Sequence, residues 1–202
     1  MKFSFTFLVA ILISFVSSAQ TLQSGAYEPG LYLAYDQQTQ KLTGYFEDHT
    51  GWDEELKYPK FSCLFYIEGK LNSNNIQILT YYPDVEGNYN DTIMGTFEII
   101  DEKTIKIKLP MEHGGCWNVR HFADEPVQFN LSEKYNWSQI RYVTKEKTFF
   151  YQEKNEAKRQ KAYLIKSDFV CVDKIDGEWA HCTFLGEHTT MGWIKNVDLN
   201  KW

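Results

Sequence analysis

The sequence predicts an all-β protein of two units, an N-terminal antiparallel β-barrel or sandwich followed by a smaller β-barrel. Period-two alternation rich in Val, Ile, Thr, Tyr and Phe recurs along the chain, and hardly any window shows helical periodicity. The alternating runs are separated by Gly, Pro, Asn and Asp clusters, which are turn chemistry. Four cysteines, an even set, suit a compartment in which disulfides form.

The first residues, MKFSFTFLVAILISFVSSAQ, carry one Lys, an apolar run from about Phe5 to Val16 and small residues at Ser17, Ser18 and Ala19. That order predicts a secretory signal over 1–19, cleaved after Ala19. No cysteine follows the run to take a lipid, and no later stretch is apolar for long enough to cross a bilayer. The mature chain is therefore expected in the periplasm or outside the cell, with no membrane insertion. Cleavage takes the basic count from 21 to 20 against 27 acidic residues, a formal balance of −7. Without a basic cluster the chain offers no footprint for phosphate backbones, so nucleic acid is excluded as a partner.

The first strand candidates are LYLAYD (31–36), KLTGYFED (41–48), FSCLFYIE (61–68) and IQILTYYP (76–83). They are followed by IMGTFEII (93–100), TIKIKL (104–109) and VQFNLS (127–132). In TIKIKL, Ile105, Ile107 and Leu109 point one way and Thr104, Lys106 and Lys108 the other, which gives a sheet with one wet face. In FSCLFYIE, Phe61, Cys63, Phe65 and Ile67 share the inward face. Seven short strands with one apolar side each must roll up or stack, which places the first unit at 20–138. The polar stretch SEKYNW (132–137) is the expected seam.

From Gln139 the chain reads QIRYVTKEKTFFYQEKNEAKRQKAYLIKSDFVCVDKIDGEWAHCTFLGEHTTMGWIKNVDL. KTFFY, KAYLIKSD running into FVCV, GEWAHCTF and MGWIKNVDL occur in the order and spacing by which this part, about 139–202, resembles the bacterial SH3-like (SH3b) family. Ser167 stands where that family usually has Gly before Asp. The resemblance implies a small barrel without catalytic residues that holds a cell-wall peptide or an extended protein segment. By position in the motif, the groove residues it implies are Phe149, Tyr151, Trp179 and Trp193.

Read on their own, FVCVDKID and EWAHCTF flank Asp176-Gly177, a favoured two-residue hairpin turn. That turn pairs residues whose numbers sum to 353 and sets Cys171 opposite Cys182, within reach of a disulfide. The family register instead turns Val170, Val172, Ala180 and Cys182 inward and Cys171 outward, and a bulged turn separates the two sulfurs. Both registers stand at this stage.

The stretch EHGGCWNVRHF (112–122) holds His113, Cys116 and His121. A catalytic cysteine needs a lowered pKa and a base placed by the fold, and exported cysteine hydrolases normally open a helix with it. Here Gly114-Gly115 precedes Cys116, Pro110 breaks the strand before it, and no helical pattern follows. A zinc site would need an unusual loop to gather three ligands. The expected outcome is a Cys63–Cys116 disulfide, which stabilises a loop of that length by about 4 kcal/mol in the chain-entropy treatment.

EDHTGWDEEL (47–56) gathers Glu47, Asp48, Asp53, Glu54 and Glu55, from which a carboxylate pair for sugar hydrolysis can be imagined; a solvated acidic loop is the plainer reading. DVEGNYND (84–91) resembles a calcium loop through Asp84, Glu86, Asn88 and Asn90, but the closing Glu would fall at Gly95. The Asn-x-Ser/Thr triplets at Asn90, Asn130 and Asn136 are coincidental in a bacterial envelope. No phosphate-cradling glycine loop, nucleophile elbow or paired-histidine zinc motif is present, so no enzyme, cofactor or metal is expected.

The sequence thus predicts a non-enzymatic binding protein of the bacterial envelope. The alternative is an inhibitor or immunity-type protein that blocks a secreted, basic wall-degrading enzyme, motivated by the negative balance and the acidic stretch at 47–56.

Overall fold

The computed structural model describes residues 22–83 and 89–201. The predicted signal at 1–19, most of the calcium-like stretch and the Asn90 side chain lie outside the described residues.

The first unit is a closed antiparallel barrel of eight strands in chain order. They are β1 (Gly25–Glu28), β2 (Leu31–Asp36), β3 (Lys41–Asp53), β4 (Tyr58–Lys70), β5 (Asn75–Pro83), β6 (Tyr89–Ile99), β7 (Thr104–Lys108) and β8 (Val127–Lys134). Each predicted run lies within or overlaps one of β2 to β8, and β1 was missing from the expectation. β1 pairs with β2 on one side and β8 on the other, so this short strand removes both edges. The interior is filled by alternate residues, including Leu33, Phe46, Phe65, Ile78, Phe97, Ile107 and Phe129. β7 shows the expected alternation, with Ile105 and Ile107 buried between more exposed Thr104, Lys106 and Lys108.

β3 and β4 overrun the barrel. Their register is unbroken from Lys41↔Lys70 to Asp53↔Tyr58, so the hairpin projects past the rim. Phe61 keeps the parity of Cys63 and Phe65 but is 43% exposed, because it lies on the projecting part of the hairpin, before the stretch of β4 from Tyr66 that pairs with β5.

The second unit is a six-stranded sheet in the order β11 (Arg159–Ile165), β10 (Lys147–Tyr151), β14 (Thr189–Lys195), β13 (Trp179–Leu185), β12 (Phe169–Asp176) and β9 (Gln139–Tyr142). Ile165 ends β11 and Phe169 begins β12, yet four strand spacings separate those strands in the order. Flat, the separation would be roughly 19 Å, and four residues reach only about 14 Å. The sheet must therefore curl. It does so around Val143, Phe150, Leu164, Val170, Val172, Ala180, Cys182, Ile194 and Leu199.

One face of the barrel is not wet. Tyr32, Ala34, Tyr45, Tyr66 and Tyr81 on its outer wall pack with Ile140, Tyr142, Phe169 and Cys171 of the second unit. Phe169 stacks on Tyr45 at 4.2 Å and on Tyr32 at 5.3 Å between ring centroids. Thr43 Oγ1 accepts the Ile140 N–H at 2.8 Å, and Ser167 O accepts the Tyr66 hydroxyl at 2.9 Å. The expected seam at SEKYNW contains Trp137, only 4% exposed and stacked on Tyr135 at 4.1 Å, so it joins the units by packing and not as a loose linker.

Candidate functional site

The EHGGCWNVRHF stretch is scaffold. Cys116 is bonded to Cys63 with Cα atoms 4.3 Å apart, which removes its thiolate from nucleophilic or metal chemistry. A short 3-10 turn, Cys116–Asn118, brings it there. Gly115 has φ 87°, and a Cβ on it would lie 2.4 Å from the Ser62 carbonyl oxygen, so only glycine lets the turn close on β4.

His113 is 3% exposed and both ring nitrogens are engaged, Nδ1 with Asp91 Oδ2 at 2.9 Å and Nε2 with Thr80 Oγ1 at 2.7 Å. The ring also stacks on Phe65 at 4.8 Å. The set has the outline of an acid-histidine-hydroxyl relay, but Thr80 is fully buried and also bonds the Ile93 carbonyl. The histidine pins the 112–122 segment to β5 and β6. His121 stands apart at the surface, 3.5 Å from Asp124 and edge-on to Trp117. Among the described residues no group of three or more His, Cys, Asp or Glu is placed to hold a metal ion.

The acidic stretch 47–56 is ribbon and turn, a correction to the expected loop. Asp48 pairs with Arg120 at 2.6 Å, Asp53 accepts the Glu55 and Leu56 N–H groups and lies 3.4 Å from Lys60, and Glu54 pairs with Lys57 at 3.1 Å. Glu47 accepts the Tyr45 hydroxyl at 2.9 Å. These acids are spent on local partners. Beside these charges the ribbon exposes apolar side chains, with Trp52 at 57%, Leu56 at 58% and Tyr58 at 52%.

Cys171 and Cys182 are not bridged; both are free and buried. The β12–β13 turn centres on Gly177-Glu178, one residue later than expected, with Gly177 at φ 62°. A bulge between Val172 and Lys174 then shifts the register again, so Cys171 faces Thr183 and Cys182 faces Val172. Cys182 points into the second unit's core while Cys171 points into the interface between units. Burial pushes both thiols well above their ordinary pKa, which makes them unreactive.

Three of the four aromatics expected in the groove meet on the outer face of the second sheet. Tyr151 is the cross-strand partner of Trp193, and Trp193 that of His181. Trp179 packs edge-on to Tyr151 at 5.0 Å, and His181 edge-on to Trp193 at 5.1 Å. Phe149 does not join them; its ring meets Tyr163 at 6.1 Å beneath Arg159. Trp179 is 8% exposed because the Lys195 ammonium lies 4.1 Å above its ring. Lys195 is paired with Glu156 at 2.9 Å, Lys154 with Asp176 at 2.5 Å, and His181 with Asp173 at 2.9 Å. The result is a half-buried aromatic strip with a rim of paired charges. Sequence reasoning missed His181, although alternation along EWAHCTF places it on the face of Trp179.

Beside the strip, beyond Lys195, lies a cleft of about 810 Å³ lined in part by Arg141, Ile175, Glu178, Val197 and Lys201. Arg141 was also missed. It falls inside a strand-like run and nothing in its spacing marks it.

No family model, curated protein or solved structure matches this chain.

Proposed function

We propose that this chain is an exported, non-enzymatic binding protein of the bacterial envelope, and that its C-terminal SH3b-like unit engages a cell-wall peptide or extended protein segment. The observation that carries the reading is the meeting of Tyr151, Trp179 and Trp193 on the outer face, away from the core residues Phe150, Ala180, Cys182 and Ile194. Aromatic side chains lose little rotamer freedom on binding, and such rings are where binding energy concentrates. The strip is fixed by the β10, β13 and β14 ladder, so a ligand meets a preformed surface. Export is supported by the leading apolar run and by the disulfide, which persists in oxidising compartments. No helix of the described residues is long and apolar enough to cross a membrane.

The test is co-sedimentation of the exported chain with purified wall, comparing it with Trp179→Ala/Trp193→Ala. Loss of retention in a variant that still unfolds cooperatively supports the reading. Unchanged retention in the folded variant refutes the strip.

The projecting β3–β4 hairpin favours a second reading, an inhibitor of a secreted wall-degrading enzyme. Its exposed Trp52, Leu56, Tyr58 and Phe61 are the kind of surface that protein partners cover. Charge supplies less of the motive than the sequence suggested, since Asp48, Asp53 and Glu54 are paired within the chain.

A further inference from the structure

Arg141 is 3% exposed, and among the described residues no carboxylate lies within ion-pair distance of it. Its terminal nitrogens donate to the Asn196 side chain and the Asn200 carbonyl, both neutral, and its Nε has no partner. A buried guanidinium without a counter-ion is unfavourable, and such a group in a cleft marks a place where an anion is received. Burial draws its pKa down to about 10.

The surroundings select the kind of anion. Lys201 adds a second positive charge to the cleft lining, while Glu178 is an acid there and Lys195 is already held by Glu156. Ile175, 41% exposed, and Val197, 76% exposed, supply apolar wall beside these charges. A planar fork of N–H donors next to aliphatic surface fits a carboxylate that carries a small apolar side chain better than it fits a compact, fully hydrated phosphate.

Lys195 belongs both to the cleft lining and to the ring face of Trp179, so the cleft adjoins the aromatic strip. We propose that the Arg141 cleft receives the terminal carboxylate of an extended peptide whose preceding residues cross Trp179, Tyr151 and Trp193. This inference rests on the strip being the binding surface, and it adds direction: the peptide lies with its carboxyl end at the cleft.

The test is isothermal titration of the exported chain with two probes, soluble peptides released from purified wall and a blocked synthetic L-peptide of the same length ending in alanine. Each is used as the free acid and as the carboxyl amide. The acid form of at least one probe should bind ten or more times tighter than its amide, and the probe that does so identifies the source. Val197→Asp, at an exposed site that cannot disturb the core, should erase that difference; Arg141→Met should do the same where it folds. Equal affinity of acid and amide for both probes, with Trp193→Ala still abolishing binding, overturns the carboxylate cleft and spares the strip. Absence of binding by every probe overturns both.

Discussion

The Tyr66 hydroxyl donates to the Ser167 carbonyl at 2.9 Å, joining the wall of the barrel to the turn between β11 and β12 across 101 residues. Burial raises the Tyr66 pKa well above its ordinary value, so the hydroxyl keeps its proton. Tyr66→Phe preserves the ring contacts with Tyr45 and Tyr142 and leaves the carbonyl without its partner. The variant should lose about 1–2 kcal/mol of unfolding free energy in a urea titration. No loss would mean that this hydrogen bond adds nothing to the docking of the two units.

Ser167 itself sits at φ 71°, in the left-handed region. A side chain there costs about 1–2 kcal/mol, partly offset in glycine by its freer unfolded chain. Ser167→Gly should accordingly raise stability by about 0.5–1 kcal/mol. A destabilised Gly variant would show that the serine side chain contributes something beyond its backbone geometry.

Cysteine chemistry should divide the four residues into two classes. Peptide mapping without reductant should recover the segments containing Cys63 and Cys116 as one linked pair. Cys171 and Cys182 should resist an alkylating reagent in the native protein and react together once it is unfolded. Linked Cys171 and Cys182 peptides would contradict the bulged register.

Acid should loosen the His113 region through Asp91. Burial raises this carboxyl's pKa, but the Gly114 N–H at 3.1 Å and His113 at 2.9 Å more than compensate, leaving it below the ordinary range. With the folded value below the unfolded one, the unfolded chain takes up more protons as pH falls. The stabilisation is whole above the ordinary value of about 3.9 and is lost as pH drops through the lower folded value. Asp91→Asn should therefore show a flatter fall of unfolding free energy than the parent below about pH 5. Parallel curves would remove Asp91 from the account.

Alternation made β2 to β8 legible, because each buries one face in a barrel interior. β1 escaped, since the four residues GAYE are too few to show a period. The outer wall was misread for a physical reason: Tyr45, Tyr66 and Tyr81 look like solvent-facing residues along a strand, and only the docking of Phe169 and Tyr142 buries them. The disulfide was legible from an inward Cys63 and a lone Cys116. The Cys171 and Cys182 pairing was not, because a single bulged residue decides which way each thiol points. Of the aromatic strip, alternation could have found His181, whereas Arg141 is recognisable only once its missing counter-ion is seen.

The aromatic strip is tested most directly by the indole N–H signals of the uniformly ¹⁵N-labelled chain during titration with soluble wall peptides. The strip account predicts that the Trp179 and Trp193 signals move with ligand while those of Trp52 and Trp117, exposed on the other unit, stay in place. Movement of Trp52 or Trp117 with Trp179 and Trp193 unchanged would contradict it and shift the binding surface to the projecting hairpin.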